Sequence, residues 1–400
     1  MTRIELIDRN EQLSLIEPML ISQSSNSREL LADLSIELVS CSAEFSSSLP
    51  DEIVIALSDL VKSMNCYYSN LIEGHNTHPI DIELALKGDY SLNTKKRNLQ
   101  LEAKAHIDVQ RWIDNGNLLG RSVDADGICE IHKRFCEQLP EELLTITEPE
   151  TGKKETVIPG SFRDKDVKVG VHIPISPGAI SRFMKRFEQV YGKLSKSESI
   201  IAIAAAHHRL LWIHPFLDGN GRVARLMSHA TLLETLKTKG IWSIARGLAR
   251  NVNKYKEHLA RCDSIRHSDL DGRGNLSESE LIKFTQFFLE TCIDQVKFMQ
   301  QLVKPNKLIN RILIWVESEI RDGNLPSKSD RILETILYRG ELKRSEIANI
   351  LDVSERHARR TVSALIKSGA IKSETTRTPL KIAFPSELAS QWMPGLFPEY

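Results

Sequence analysis

Several things are scarce in this 400-residue chain, and each scarcity narrows it. Its six cysteines, Cys41, Cys66, Cys129, Cys136, Cys262 and Cys292, are scattered and contain no C-x-x-C pair. That argues against a zinc or disulfide scaffold and fits a reduced, cytoplasmic protein. Neither charge sign is in excess: 53 Lys and Arg balance 53 Asp and Glu, so nothing suggests a chain that coats a polyanion as a whole. No apolar run approaches the roughly 18 residues of a membrane span. The N-terminal stretch MTRIELIDRNEQL is charged throughout and lacks the apolar region of a signal peptide. The expectation is a soluble, cytoplasmic protein with no membrane partner. Strand signals are scarce too. Only one alternating run, from Val167 to Ile173, stands out in the first 370 residues.

The richest stretch is HPFLDGNGRVAR, His214 to Arg225. Upstream, the run from Ser199 to His207 carries no charge and reads as a buried helix, with Ser195 and Glu198 at capping-box spacing. Downstream, RVARLMSHATLLETLKTKG reads as an amphipathic helix stopped by Lys237, Lys239 and Gly240. Chemistry-bearing residues on a short loop between helices mark a site.

The length allows two or three domains. Residues 1 to about 48 read as helical pieces. At SSSLPDEI, Ser48 can cap a helix, Pro50 suits its first turn, and Asp51 and Glu52 favour the positive end of the dipole. That helix runs into an S-x-x-x-E-G pattern, Ser69, Glu73 and Gly74, in which the glycine can form a left-handed cap. A glutamate in a last turn faces the negative dipole end, so Glu73 is either a solvated surface residue or has a cationic partner elsewhere, with the loop arginines as candidates. Two further helices hold Leu101, Ala105, Ile107, Val109 and Trp112, and then His132 on an inner face. The segment 150–178 changes character and reads as a β-hairpin or flap. Arg246, Arg250, Asn251, Lys254 and Tyr255 read as the polar side of a later helix. Asp269, Asp271, Gly274 and Glu280 approach calcium-loop spacing, but Arg273 stands where an oxygen ligand is needed, so a turn with Ser277 capping the next helix is expected. Past about 330, three helices and two short strands around a Pro-containing turn resemble a winged helix-turn-helix. The third helix carries Arg356, His357, Arg359 and Arg360, and residues 328–384 hold 12 Lys and Arg against 7 Asp and Glu. DNA is a possible partner, and a docking surface is the alternative.

Chemically, Gly219-Asn220-Gly221 opens directly into a helix, where converging N–H groups and the dipole make a nest for phosphate. It lacks the G-K-[ST] ending of a Walker loop. Arg222 and Arg225, three residues apart, project from neighbouring points and suggest a polyphosphate. Asp218 could hold Mg²⁺ by one carboxylate, with phosphates and waters completing the shell. His214 could accept a proton near neutral pH. Metal ligation by His207, His208 and His214 is disfavoured because none of them are four residues apart. A base, a metal anchor and a phosphate clamp equip a site to transfer a phosphorus-centred group from a nucleotide to a hydroxyl.

HPFLDGNGRVAR matches the Fic-family signature H-P-F-x-[DE]-G-N-G-R-x-x-R at all nine specified positions. Ser69 to Gly74 resembles the inhibitory-helix motif that some members carry before the core. The flap with Gly160, Arg163 and VKVGVHIP, RGLARNVNKY and DLDGRGNLSE also resemble bacterial Fic proteins with an appended winged helix. The resemblance implies a mainly α fold: residues 1–110 as an N-terminal helical region holding the inhibitory helix, 111–300 as the core with its β-hairpin flap, and 301–400 as a linker helix and winged helix-turn-helix. It implies transfer of AMP from ATP, with Mg²⁺, to a Ser, Thr or Tyr hydroxyl of a target protein or of the chain itself. In that frame His214 is the general base, Asp218 holds Mg²⁺, and Gly219, Asn220, Gly221 and Arg222 serve the α- and β-phosphates. Arg225 binds the γ-phosphate unless Glu73 pairs with it. Val169, Gly170 and His172 belong to the flap that aligns the target, and Asn251 and Tyr255 lie near adenine and ribose. A homodimer, removal of AMP with help from Glu73, and nucleotide sensing by a DNA-binding regulator are the other implied possibilities. The intact motif argues against transfer of other groups.

Overall fold

The computed structural model describes residues 6–147 and 152–398. The first five residues of the charged N-terminal stretch, and residues 150 and 151 of the expected flap, lie outside the described residues. The helices in order are α1 (Arg28–Ser47), α2 (Asp51–Ile72), α3 (Pro79–Leu86), α4 (Thr94–Asp114), α5 (Ala125–Cys136) and the single turn α6 (Glu141–Leu144). A short antiparallel hairpin follows, β1 (Thr145–Thr147) with β2 (Lys154–Thr156), pairing Ile146 with Glu155. Then come α7 (Ile180–Tyr191), α8 (Lys196–Ile213), α9 (Asn220–Leu236), α10 (Ala245–Arg250), α11 (Val252–Cys262), α12 (Glu278–Leu302) and α13 (Pro305–Arg321). Among the described residues no helix is long and apolar enough to cross a membrane.

The Ala- and Ile-rich α8 lies at the centre, packed on α9, α12, α7 and α1. Its small side chains allow close approach from several sides, which is why its buried residues surround the helix and do not form a stripe. The Ser195 hydroxyl accepts from Glu198 N–H at 3.3 Å and caps it as expected. Helix α9 is buried on most of its surface from Asn220 to Ala230. The expected amphipathic helix is therefore a core helix, because α2, α4, α5 and α8 all pack on it. Ser48 does not start α2; its hydroxyl donates to Phe45 O at 2.8 Å and closes α1, while Pro50 stands just before the first turn of α2.

Between α4 and α9 runs a polar seam. Glu102, His106, Gln110 and Asp114 recur every fourth residue on α4 and face the arginines and His229 of α9. Gln110 Oε1 accepts from Asn65 of α2 at 2.6 Å, and His229 Nε2 lies 2.7 Å from Asp114 Oδ1. Position 110 is thus inside α4, and position 300 inside α12, so neither expected domain boundary falls in a linker.

The C-terminal elements are α14 (Ser329–Arg339), β3 (Glu341–Leu342), α15 (Ile347–Leu351), α16 (Glu355–Lys367), β4 (Ile371–Lys372), β5 (Leu380–Ile382) and the turn α17 (Ala389–Trp392). The strands form an antiparallel sheet in the order β3-β5-β4. This unit docks on α2. Lys372 Nζ sits 2.9 Å from Asp59, Tyr68 donates its hydroxyl to Leu396 O at 2.9 Å, and Phe397 packs edge-on against Tyr67.

His106 and His207 are fully buried, and burial pushes both imidazoles down to about 3. In the unfolded chain each takes a proton near pH 6.5, whereas the folded protein refuses it until far lower. Their contribution to stability is complete above that unfolded value and declines as pH falls below it, by about 2 kcal/mol per histidine at pH 5. Thermal midpoints should therefore drop between pH 7 and pH 5. Neither His106 ring nitrogen has a hydrogen-bond partner, so His106→Leu should flatten part of that slope at little cost.

Candidate functional site

The site forms where α8 ends and α9 begins. His214 closes α8 in the left-handed conformation, φ 50°, with its N–H on Leu210 O at 3.0 Å. Histidine tolerates this region better than most residues, and the turn throws the ring off the helix axis. His214 Nδ1 lies 3.3 Å from Leu211 O. A carbonyl can only accept, so Nδ1 carries the proton and Nε2 is left as the base. Burial pushes the imidazole down to about 4, which keeps it neutral at pH 7.

The loop is held from two sides. Asn220, expected to face phosphate, is buried, and its side chain instead accepts from Phe216 N–H (3.0 Å) and donates to Phe216 O (2.8 Å). Its role is to clamp the turn, leaving backbone N–H groups of the first turn of α9 for an anion. His132 of α5 stacks on Phe216 at 3.9 Å and accepts from Gly160 N–H at 2.9 Å, so this inner-face histidine joins the loop to the flap stem. Arg163 does so more firmly. Its guanidinium donates to His214 O (2.8 Å), Lys165 O (2.7 Å) and Ile175 O (2.6 Å), and burial pushes it down to about 10.

The flap differs from expectation. The Val167–Ile173 run is not a strand pair; a single bridge joins Val169 and His172 across a turn at Gly170 and Val171. The hairpin of this region is β1–β2, upstream of that run, where three-residue strands leave too little alternation to recognise. Val169 and Gly170 line a groove with His214, whereas the His172 ring lies 2.9 Å from Trp212 O and is committed to holding the turn down.

Both motif arginines are buried. Arg225 donates Nε to the Ser69 hydroxyl at 2.8 Å and Nη2 to Glu73 Oε1 at 2.5 Å, so the last turn of α2 lies across the first turn of α9. Gly74, at φ 86°, ends α2, and His75 N–H returns to Asn70 O at 2.9 Å. The Glu73 carboxylate sits so close to Gly221 that a β-carbon there would fall 2.4 Å from Oε1. Burial opposes ionisation of Glu73, yet Arg225 and Arg222 outweigh it and hold the carboxyl below its usual range. The place expected to receive phosphate thus already holds an anion of the chain itself.

Arg222 has partners that sequence reasoning missed. Buried Glu102 pairs with it through Oε1 and, through Oε2, with His75 at 2.7 Å. The available signal was the four-residue polar repeat on α4. Asp218 is exposed, with Oδ2 at 3.9 Å from Arg222 Nη1. Among the described residues no cluster of three or more His, Cys, Asp or Glu could hold a metal. Asp218 therefore fits Mg²⁺ only as a single ligand shared with phosphates and water. The Asp269–Glu280 loop is a turn: Asp271 accepts from His267 N–H (2.9 Å) and Ser279 N–H (2.7 Å), and Ser277 caps α12.

Tyr255 departs from the expected polar side of the helix, whereas Asn251 keeps to it. Tyr255 is buried, with its hydroxyl 2.6 Å from His207 Nε2, and supports Arg225 from behind without reaching an open surface. Asn251 is exposed and donates to Gly247 O. Arg246 is not on a polar face; it is buried over Phe298, 3.5 Å from the ring centre, and donates to Gly395 O.

Removing the Arg163 fork strands three carbonyls. Arg163→Ala should cost roughly 3–5 kcal/mol in chemical denaturation, far more than removing a surface arginine.

Residues 122–232 match the family model described as Fic/DOC family. A protein adenylyltransferase Fic of Drosophila erecta is 29% identical over 161 residues, covering 40% of this chain and 32% of that protein. The protein of the same name from Drosophila ananassae is 30% identical over 161 residues, 40% and 31% of the two chains. The chain thus spans about a third of the length of the curated relatives it matches. Among solved structures, a Fic family protein from Desulfovibrio desulfuricans aligns with a TM-score of 0.53 at 14% identity over 91% of this chain and 98% of the other. A Fic domain containing signaling protein from Bacteroides thetaiotaomicron gives 0.50 at 19% identity over 67% and 96%. Identities this low establish the fold alone.

Proposed function

We propose that this chain, which carries a Fic domain over residues 122–232, is a protein adenylyltransferase that transfers AMP from ATP to a Ser, Thr or Tyr hydroxyl and is restrained by Glu73. The observation that carries the reading is the Glu73 carboxylate, seated on Arg225 over the first turn of α9. A carboxylate held at a helix N-terminus by a buried arginine occupies an anion site. The natural competitor is the terminal phosphate of a nucleotide.

In the proposed reaction the target hydroxyl loses its proton to His214 Nε2 as its oxygen attacks the α-phosphorus. The new O–P bond forms as the bond to the β-phosphate oxygen breaks, and pyrophosphate leaves. First-turn N–H groups of α9 and Arg222, steadied by Glu102, offset phosphate charge. Mg²⁺, held by Asp218 together with the phosphates, would neutralise the leaving group. When Glu73 holds Arg225, the γ-phosphate is denied its partner and the chain is turned aside from the productive pose.

The C-terminal unit supports a second role. Its three helices and three-stranded sheet, with Arg356, Arg359 and Arg360 exposed on α16, suit a winged helix-turn-helix that contacts duplex DNA. Binding that weakens steeply with salt is the expected result, and no binding at low salt removes this role.

His214→Ala should abolish incorporation of label from α-labelled ATP, and Glu73→Gly should raise auto-modification by roughly tenfold or more, the factor expected on freeing a contested charged contact. An unchanged rate in Glu73→Gly defeats the restraint. Because the free-enzyme His214 titrates at about 4, kcat/KM of Glu73→Gly should stay level from pH 8 to pH 6 and fall only in more acidic buffer. A base with an ordinary histidine value of about 6.5 would already lose most of its rate at pH 5.5.

A further inference from the structure

The buried ion pair of Arg222 has an open end. Glu102 Oε1 holds Arg222, and Glu102 Oε2 lies 2.7 Å from His75 Nδ1. Nδ1 is also 3.2 Å from Arg222 Nη2, but one ring nitrogen cannot donate and accept at once. The shorter contact, to a carboxylate that only accepts, puts the proton on Nδ1 and aims it at Glu102. The Glu102 side chain is 3% exposed and that of His75 40%. The imidazole is thus pinned at its inner nitrogen and open along the edge that carries Nε2.

His75 is fixed through its backbone as well. It follows Glu73 and Gly74, and its N–H returns to Asn70 O at 2.9 Å across the end of α2, where the helix dipole favours a cation. The charged groups facing the ring are Glu102 of α4, Arg222 of α9 and Glu73 at the end of α2. Glu102 raises the imidazole above its ordinary value against partial burial and Arg222, and Glu73 adds to the rise. With Glu73 seated on Arg225, two carboxylates offset the two arginines. Once Glu73 turns away, Glu102 alone remains against them. His75 keeps its place, because neither of its anchors involves the Glu73 side chain. A polyphosphate carries more negative charge than the single carboxylate it displaces, and an imidazolium beside Arg222 supplies further positive charge.

We infer that His75, held by Glu102, is a third cationic ligand of this anion site, donating from Nε2 to the β- or γ-phosphate of the bound nucleotide. The inference rests on the transferase reading and adds a specificity-determining residue to that same site, one that favours a nucleoside triphosphate over a monophosphate.

The test uses full-length Glu73→Gly/His214→Ala protein, which lacks the proposed base and so holds ATP without consuming it. Calorimetric titrations with ATP and with AMP, Mg²⁺ present, compare it with the same protein carrying His75→Gln, folding checked by circular dichroism. Gln keeps a donor for Glu102 and loses the charge. At about pH 6 the Gln protein should bind ATP roughly tenfold more weakly, the loss expected with one charge-assisted bond, and AMP equally well. The ATP gap should close as pH rises toward about 9 and the imidazole sheds its proton. Comparing the two proteins at each pH cancels the titration of ATP itself. Equal losses for ATP and AMP, a gap that ignores pH, no gap, or no binding of ATP overturns the inference; the first two outcomes would make His75 only a pin for Glu102. α-Labelled ATP on Glu73→Gly protein separates the two readings. No label defeats the transferase reading even where the ATP gap is found, whereas label without a gap defeats the role of His75 alone.

Discussion

Two guanidiniums buried three residues apart on one helix impose the constraint that shapes the rest of the structure. Where buried Arg163 and Arg246 are satisfied by carbonyls, Arg222 and Arg225 each require a carboxylate inside the bundle, and removing one partner of such a buried pair costs about 3–5 kcal/mol. Each partner comes from a different helix: Glu102 from α4 and Glu73 from the end of α2. The polar repeat of α4, the capped end of α2 and the burial of Ser69, Tyr255 and His207 all follow from that requirement.

The two partners are not equivalent. Glu102 is buried and its second oxygen is taken by His75, so Arg222 is fixed in place. The Glu73 side chain keeps about a third of its surface open (33% exposed) and lies at the terminal turn. A ligand anion can replace Glu73 at Arg225 without leaving the arginine uncompensated, because one negative charge substitutes for another. It cannot do so at Arg222 without stranding Glu102. In the proposed function this asymmetry separates a standing phosphate ligand from a contested one.

Much of this was legible in the sequence because it rests on local rules. The caps at Ser195 and Ser277, the glycine end of α2 at Gly74 and the loop-to-helix transition at Gly219 are each set within four residues. The Glu73–Arg225 pair, 152 residues apart, was reached through motif resemblance rather than periodicity. What escaped was decided by long-range packing. Tyr255 and Arg246 look like the polar side of a surface helix, but neighbouring helices bury both, with Tyr255 on His207 and Arg246 over Phe298. Asn220 reads as a ligand because its type suits phosphate, while its geometry spends both amide atoms on Phe216. The Val167–Ile173 alternation fails as a strand because Arg163 and His172 tie that stem to His214 O and Trp212 O at the end of α8 in place of a ladder.

The same contacts determine where motion is cheap. One turn before Glu73, Tyr67 and Tyr68 are gripped by the C-terminal segment through Phe397 and Leu396 O, and Ser69 is fully buried. Withdrawing α2 as a body would break those contacts, the Lys372–Asp59 pair and the Asn65–Gln110 bond together. Rotating the Glu73 side chain about its own torsions breaks one ion pair at a partly open position and leaves the helix in place. Relief of the proposed restraint by side-chain displacement is therefore the lower-cost route, and any signal acting through α2 as a whole has to overcome the C-terminal unit's hold as well.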